Sequence, residues 1–265
     1  MDELSATEAP VVRDTRYRDW DIERLVLSQP ARRNALSRSL LEALDRELET
    51  VEREDRAKAV ILAAEGPVFS AGHDLNELRC GREEDVRAVF AIAASVMTRI
   101  RNLSAIVIAE VEGVATAAGC QLVAAADLAV AGRGARFATP GVKIGYFCTT
   151  PAVALSRNVG RKKALEMLVT GDFISADEAL SQGLINQVVP EGEAEAGAVA
   201  LGRKIAAHAR PTLVAGKRDF YRQLLLSDEE ALEFAGRAMV RNVARPEARE
   251  GMSAFLERRP PVWPR

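Results

Sequence analysis

The chain has 265 residues, 48% hydrophobic and 28% charged, so it is long enough for a large core and is neither disordered nor fibrous. Lysine plus arginine is 36 against 38 acidic residues, a net charge of -2. That balance argues against a broad nucleic-acid surface and leaves room for a small basic patch around one anionic ligand.

Cys80, Cys120 and Cys148 show no Cys-x-x-Cys spacing, and His73 and His208 are the two histidines, so a zinc site has almost no material. No window approaches the ~20 apolar residues of a membrane span. Residues 1–10 read as a polar leader, with Asp2, Glu3 and Glu8 where a signal or transit peptide would be apolar or basic. A cytoplasmic enzyme or ligand binder with reduced thiols is expected.

Residues 11–17 and 22–27 read as two short strands. Leu36, Leu40, Leu44, Leu48 and Val51 fall on one stripe, which predicts a helix over 34–53. Residues 58–64 are a buried strand, 83–102 a helix, 105–111 a second buried strand, 117–126 a buried helix and 128–131 a third buried strand. Thr170-Gly171 ends a helix. Ser175 and Glu178 form a capping box for the next, and Gly183 supplies its stop. Strands apolar throughout and separated by helices mean a sheet covered on both faces, hence α/β. Helices are expected at 193–208, 211–226, 228–243 and 246–258. The chain thus divides into the leader, an α/β core over 11–192 and a helical segment over 193–265.

Gly-x-Gly-x-x-Gly, the Walker loop and the Gly-x-Ser-x-Gly elbow are all missing from the sequence. Two small-residue turns stand out instead. Val68-Phe69-Ser70-Ala71-Gly72-His73-Asp74-Leu75 follows the first core strand, and Glu112-Gly113-Val114-Ala115-Thr116-Ala117-Ala118-Gly119-Cys120-Gln121 follows the second. Each leads from a strand into a helix start, where free N–H groups point outward; two such starts facing one point would make a two-donor oxyanion hole. The same small residues also suit close helix–sheet packing.

These turns, together with Pro30…Asn34-Ala35-Leu36, Thr170-Gly171…Ser175-Ala176 and the stretch from Glu250 to Arg259, resemble the enoyl-CoA hydratase/isomerase (crotonase) superfamily. The motifs stand in the family's order along nearly the whole chain. The resemblance implies a crotonase-like core of repeated ββα units and a C-terminal helical trimerisation segment, as a homotrimer or a dimer of trimers. It implies a lyase of fatty acid metabolism acting on an acyl-CoA thioester, with no separate cofactor, metal, nucleic acid or membrane partner. The family's two oxyanion N–H groups fall on His73 and Ala118. Arg32 and Arg33 fall where the family meets the CoA phosphates or adenine, with a solvated loop as the alternative. Ala71, Gly72, Asp74 and Leu75 would line the adenine and pantetheine path. Phe255 and Arg258 fall where the tail helix reaches a neighbouring subunit's CoA, with a core contact as the alternative for Phe255.

The acid–base positions depart from the family. Its two glutamates fall on Gln121 and Gly141, and neither residue exchanges a proton near pH 7. Efficient hydration is therefore doubtful, and restoring both glutamates should raise it if residue 141 has room. Glu112, Asp74, Tyr146 and Cys148 are the nearby candidates for a substitute base, and Asp74 also suits a helix N-cap. Decarboxylation of a malonyl-type thioester, which needs the hole and no base, is the alternative reaction. A non-catalytic acyl-CoA binder is the alternative class.

Overall fold

The computed structural model describes residues 9–264, and residues 1–8 of the expected leader lie outside them. The chain opens with β1 (Val11–Asp14) and β2 (Ile22–Leu27) as an antiparallel pair. The predicted strand over 11–17 stops at Asp14, because a short 3-10 turn at Arg18–Trp20 and a left-handed Asp21 (φ 57) reverse the chain. Helix α1 (Arg38–Glu54) begins four residues later than its apolar stripe suggests. Asn34 is left-handed (φ 48), and Ser37 caps the helix by accepting the Leu40 N–H.

Three ββ units follow, each a long strand, a tight turn and a short strand. They are β3 (Ala59–Ala64) with β4 (Val68–Ser70), β5 (Ile106–Val111) with β6 (Val114–Thr116), and β7 (Leu128–Gly132) with β8 (Arg136–Ala138). Helices α2 (Leu75–Cys80) and α3 (Glu83–Asn102) follow the first unit, and α4 (Ala118–Ala125) the second. After the third come a 3-10 turn at Pro140–Ile144, α5 (Thr149–Asn158) and α6 (Arg161–Thr170). Then β9 (Ile174–Ser175), α7 (Ala176–Ser181) and β10 (Gln187–Val189) close the sheets. The long strands build a six-stranded sheet in the order β1-β2-β3-β5-β7-β10, parallel from β2 onward. The short strands build a second sheet, β4-β6-β8-β9, parallel except for β8 with β9. Three-residue strands carry too little alternation to be read from sequence, which is why this second sheet was not expected.

The large sheet is buried on both faces, as its continuous apolar runs require. One face packs on α1 and α3 through Leu40, Leu44, Leu48, Val96 and Ile100. The other packs on α8 (Ala194–Ala206), where Ala198 and Val199 meet Ile22, Ile61, Ile108 and Val130. The chain ends in α9 (Arg210–Gln223), α10 (Asp228–Val243) and α11 (Pro246–Leu256). A buried Lys217 pins α9 to the core: its Nζ donates to the Ile100 and Ala105 carbonyls and lies 2.6 Å from Asp127 Oδ2. The expected capping box at Ser175 is half formed: Ser175 accepts the Glu178 N–H, while the Glu178 side chain turns to Lys163. The complete reciprocal box is at Ser227 and Glu230, opening α10.

Candidate functional site

The first of the two turns is built on buried Asn34. Its left-handed backbone is one that asparagine tolerates. Its side chain accepts the Gln29 N–H and donates to the Glu65 and Val68 carbonyls, while its own carbonyl accepts from Ser70 Oγ. Asn34 thereby ties the Arg32–Arg33 loop to β4. Ala71 N–H donates to the Arg33 carbonyl, and Gly72 accepts the Leu36 N–H at 2.8 Å. Sequence reading placed Asn34 in a helix and missed this role; an Asn beside the Pro30 turn was the available signal.

Gly72 has φ +90, and a Cβ there would meet Ala117 Cβ at 2.8 Å and Ala118 N at 3.2 Å. The residue before His73 is thus pressed directly against the start of α4. From the other side, a Cβ on Gly119 would lie 2.4 Å from the Ser70 carbonyl oxygen. Glycine at these two positions is what lets the two turns touch.

At the start of α4, Ala117 adopts φ 51, ψ -119, a region that disfavours every residue but glycine. Its N–H donates to the Ala138 carbonyl at 2.9 Å, which fixes the turn to the end of β8. This shifts the expected helix start from 117 to 118. Among the described residues neither the Ala118 nor the His73 N–H has a hydrogen-bond acceptor, and Ala118 is only 1% exposed. A buried backbone donor without a partner is rare and costs about 1–3 kcal/mol. His73 itself sits in the loop ahead of α2, bridged to Leu36, rather than in a helix start.

The Gln121 side chain lies one turn along α4 and is 9% exposed. Its amide atoms have no protein partner among the described residues and are not fully sealed from solvent. Gly141 is also buried. A Cβ on it would meet the Tyr146 carbonyl oxygen at 2.2 Å and Cys148 Sγ at 2.7 Å, so the space beside it is already filled.

Four titratable side chains surround these turns, and burial is the largest influence on each. It holds His73 below its ordinary 6.5, pushes Cys120 up to about 12, and raises Cys148 and Tyr146. The His73 ring is wedged edge-on against Phe90, with Nδ1 3.3 Å from the Leu36 carbonyl. All four groups are neutral at pH 7.

The remaining candidates for a base have structural partners. Glu112 accepts the Gly192 and Ala194 N–H groups at the start of α8. Asp74 caps α2 by accepting the Asn76 N–H at 2.9 Å and pairs with Arg32. Glu110, which was not among those candidates, forms a two-bond pair with Arg24, at 2.6 and 2.8 Å. Arg33 and Leu75 are exposed beside this loop, and the Arg33 side chain has no partner among the described residues. Phe255 is 82% exposed on α11, so its alternative as a core contact fails. Arg258, just past that helix, is left-handed and exposed. No hydrogen bond among the described residues joins either residue to the two turns.

This architecture of ββα units, with two glycine-tightened turns meeting at unpaired N–H groups, matches a known family. A sequence profile of the enoyl-CoA hydratase/isomerase family covers residues 21–265, and the chain belongs to that family. Among its relatives is the mouse (Mus musculus) protein named enoyl-CoA hydratase domain-containing protein 3, mitochondrial, 49% identical over 256 residues, which is 96% of this chain and 85% of that protein. The crystal structure of human enoyl-CoA hydratase domain-containing protein 3 has a TM-score of 0.90 at 47% identity, covering 96% of this chain and all of that one. An enoyl-CoA hydratase from Mycobacterium smegmatis has a TM-score of 0.93 at 47% identity, covering 97% of this chain and 99% of its own.

The expected cytoplasmic location is corrected by these relatives. The mouse, rat and human proteins at 49% identity are all named mitochondrial, so a cytoplasmic location is not supported. Composition and charge carry no information on compartment that could have found this.

Proposed function

We propose that this protein binds acyl-CoA thioesters, polarises the thioester carbonyl with the His73 and Ala118 N–H groups, and hydrates 2-enoyl thioesters poorly. The observation that carries this reading is the unpaired Ala118 N–H on a buried residue, held against the Gly72-His73 turn by a strained Ala117. Fold strain and an unsatisfied donor at one point are features that a packing role alone does not require. A negative oxygen received there gains a large stabilisation; loss of one such donor costs about 2.7–4 kcal/mol in a known enzyme.

Hydration also needs a proton taken from water and one delivered to carbon. Gln121 and Gly141 supply neither, and His73, Cys120, Cys148 and Tyr146 are held neutral with pKa values moved away from the useful range. Arg32 and exposed Arg33 suit the CoA phosphates; a phosphate would compete with Asp74 for Arg32. Ala71, Gly72, Asp74 and Leu75 border the path between them. On the helical segment, Phe220, Leu224, Leu232, Met239 and Phe255 are all more than half exposed, which supports assembly of subunits through α9–α11 and a reach of Phe255 and Arg258 toward a neighbour's ligand.

The test is calorimetric titration with butyryl-CoA, alongside loss of enoyl absorbance with crotonyl-CoA. Saturable binding that weakens with salt, and turnover far below the median enzyme value of about 10 s⁻¹, are expected. No binding at millimolar butyryl-CoA overturns the reading.

A further inference from the structure

We propose that Asp74 is a built-in competitor for the ligand's phosphate. In the free protein its carboxylate occupies Arg32; CoA binds by taking that arginine over, and Asp74 thereby holds the affinity for CoA thioesters down. This rests on the reading of Arg32 and Arg33 as the phosphate contacts. Both arginines stand on a turn whose backbone is fixed. The Arg32 N–H donates to the Gln29 carbonyl, the Arg33 N–H donates to the Pro30 carbonyl, and the Arg33 carbonyl accepts the Ala71 N–H at 3.0 Å. The turn is thus bound to the segment that leads into His73.

The second observation is how unequally the pair is held. The Asp74 side chain is 7% exposed and that of Arg32 55%. The carboxylate has two bonds: Oδ1 accepts the Asn76 N–H at 2.9 Å and caps α2, and Oδ2 accepts from Arg32 Nη2. The Arg32 guanidinium has no other hydrogen-bond partner among the described residues. Taking Arg32 away therefore leaves the Asp74 cap in place. An ion pair with one member in solvent is weakly held, and a phosphate offers a guanidinium a two-bond contact carrying more charge.

Charge sets the sign of the effect. Arg32 and Arg33 bring two positive charges to the turn, and Asp74 offsets one of them. Glu77, the next acid on α2, is turned to the Arg38 N–H. A phosphate arriving at Arg32 must displace the Asp74 carboxylate and then lie near it, and both costs vanish when that group is made neutral. The opposite role, in which Asp74 holds Arg32 in the pose a phosphate needs, would make the same change weaken binding.

Asp74→Asn is the direct test, because asparagine caps a helix as well as aspartate does and α2 keeps its start. Calorimetry with butyryl-CoA compares the wild type, Asp74→Asn, Arg32→Ala and the double variant. Asp74→Asn should bind about 3- to 10-fold tighter, with a steeper loss of affinity as salt rises. In the Arg32→Ala background the gain should shrink to about 2-fold or less, since only the lost repulsion remains. Asp74→Ser, which also caps, should reproduce the gain, and urea unfolding checks that both neutral variants are folded. Unchanged or weaker binding by the two neutral variants, or an equal gain without Arg32, overturns the assignment while CoA binding stands. If neither the wild type nor Asp74→Asn binds millimolar butyryl-CoA, the phosphate reading falls and this assignment falls with it.

Discussion

A glutamate placed at position 141 should fail to restore hydration, because the site has no volume for it. The Gly141 backbone is not left-handed, so the obstacle is space. Its first added carbon would stand 2.2 Å from the Tyr146 carbonyl oxygen and 2.7 Å from Cys148 Sγ. The Tyr146 carbonyl cannot swing away freely, since the Tyr146 N–H is bonded to the Gly141 carbonyl at 2.9 Å and holds the loop closed. Overpacking of this kind costs about 1–3 kcal/mol, and Gly141→Ala alone should show it in urea unfolding. Adding Cys148→Ala should recover only part of the loss, because the carbonyl collision remains. Gln121→Glu with Gly141→Glu should then hydrate crotonyl-CoA no faster than Gln121→Glu alone. Two results refute this reasoning: Gly141→Ala within 0.5 kcal/mol of the wild type, or a double variant about a hundredfold faster than the single.

Three further outcomes follow from other parts of the fold. Gly119→Ala drives a Cβ into the Ser70 carbonyl at 2.4 Å, so it should lower both stability in urea and butyryl-CoA affinity by separating the two turns. Lys217→Met leaves Asp127 buried without its cation and should destabilise by about 3–5 kcal/mol, read by thermal or urea unfolding. Burial lowers the His73 pKa, so the unfolded chain takes up the proton first as pH falls; stability is full above about 6.5 and declines as the pH falls from there toward the folded value, and a His73→Gln variant should lose less between pH 7.5 and 5.5.

The long strands and helices were legible because each is set by a pattern within its own residues. The apolar run of β3 and the leucine stripe of α1 need no knowledge of the rest of the chain. What escaped is set by contacts between distant segments. The second sheet rests on three-residue strands that gain order only by pairing across units, as Val114 does with both Val68 and Arg136. Asn34 was hidden inside a helical stripe because its role lies in bonds to Glu65, Val68 and Ser70, more than thirty residues away. The filled space beside Gly141 was invisible for the same reason, since Tyr146 and Cys148 reach it by a loop whose path no local pattern fixes. The two turns, by contrast, were found from their glycine and alanine content, and the structure brings them into contact.

Those facts bear on what the site is built to do. An oxyanion hole acts through fixed dipoles, and its strength rises as water and mobile charge are removed. A general acid or base needs the opposite, a group whose pKa stays near the working pH. Burial around Ala118 serves the first requirement and defeats the second: it leaves an N–H unpaired while moving one imidazole, two thiols and one phenol away from neutrality in the direction that suppresses their charged forms. The carbonyl and thiol beside Gly141 go further in the same direction, because they leave no room for a carboxylate there. On the proposed reading, this arrangement suits holding and polarising a thioester better than moving protons on it.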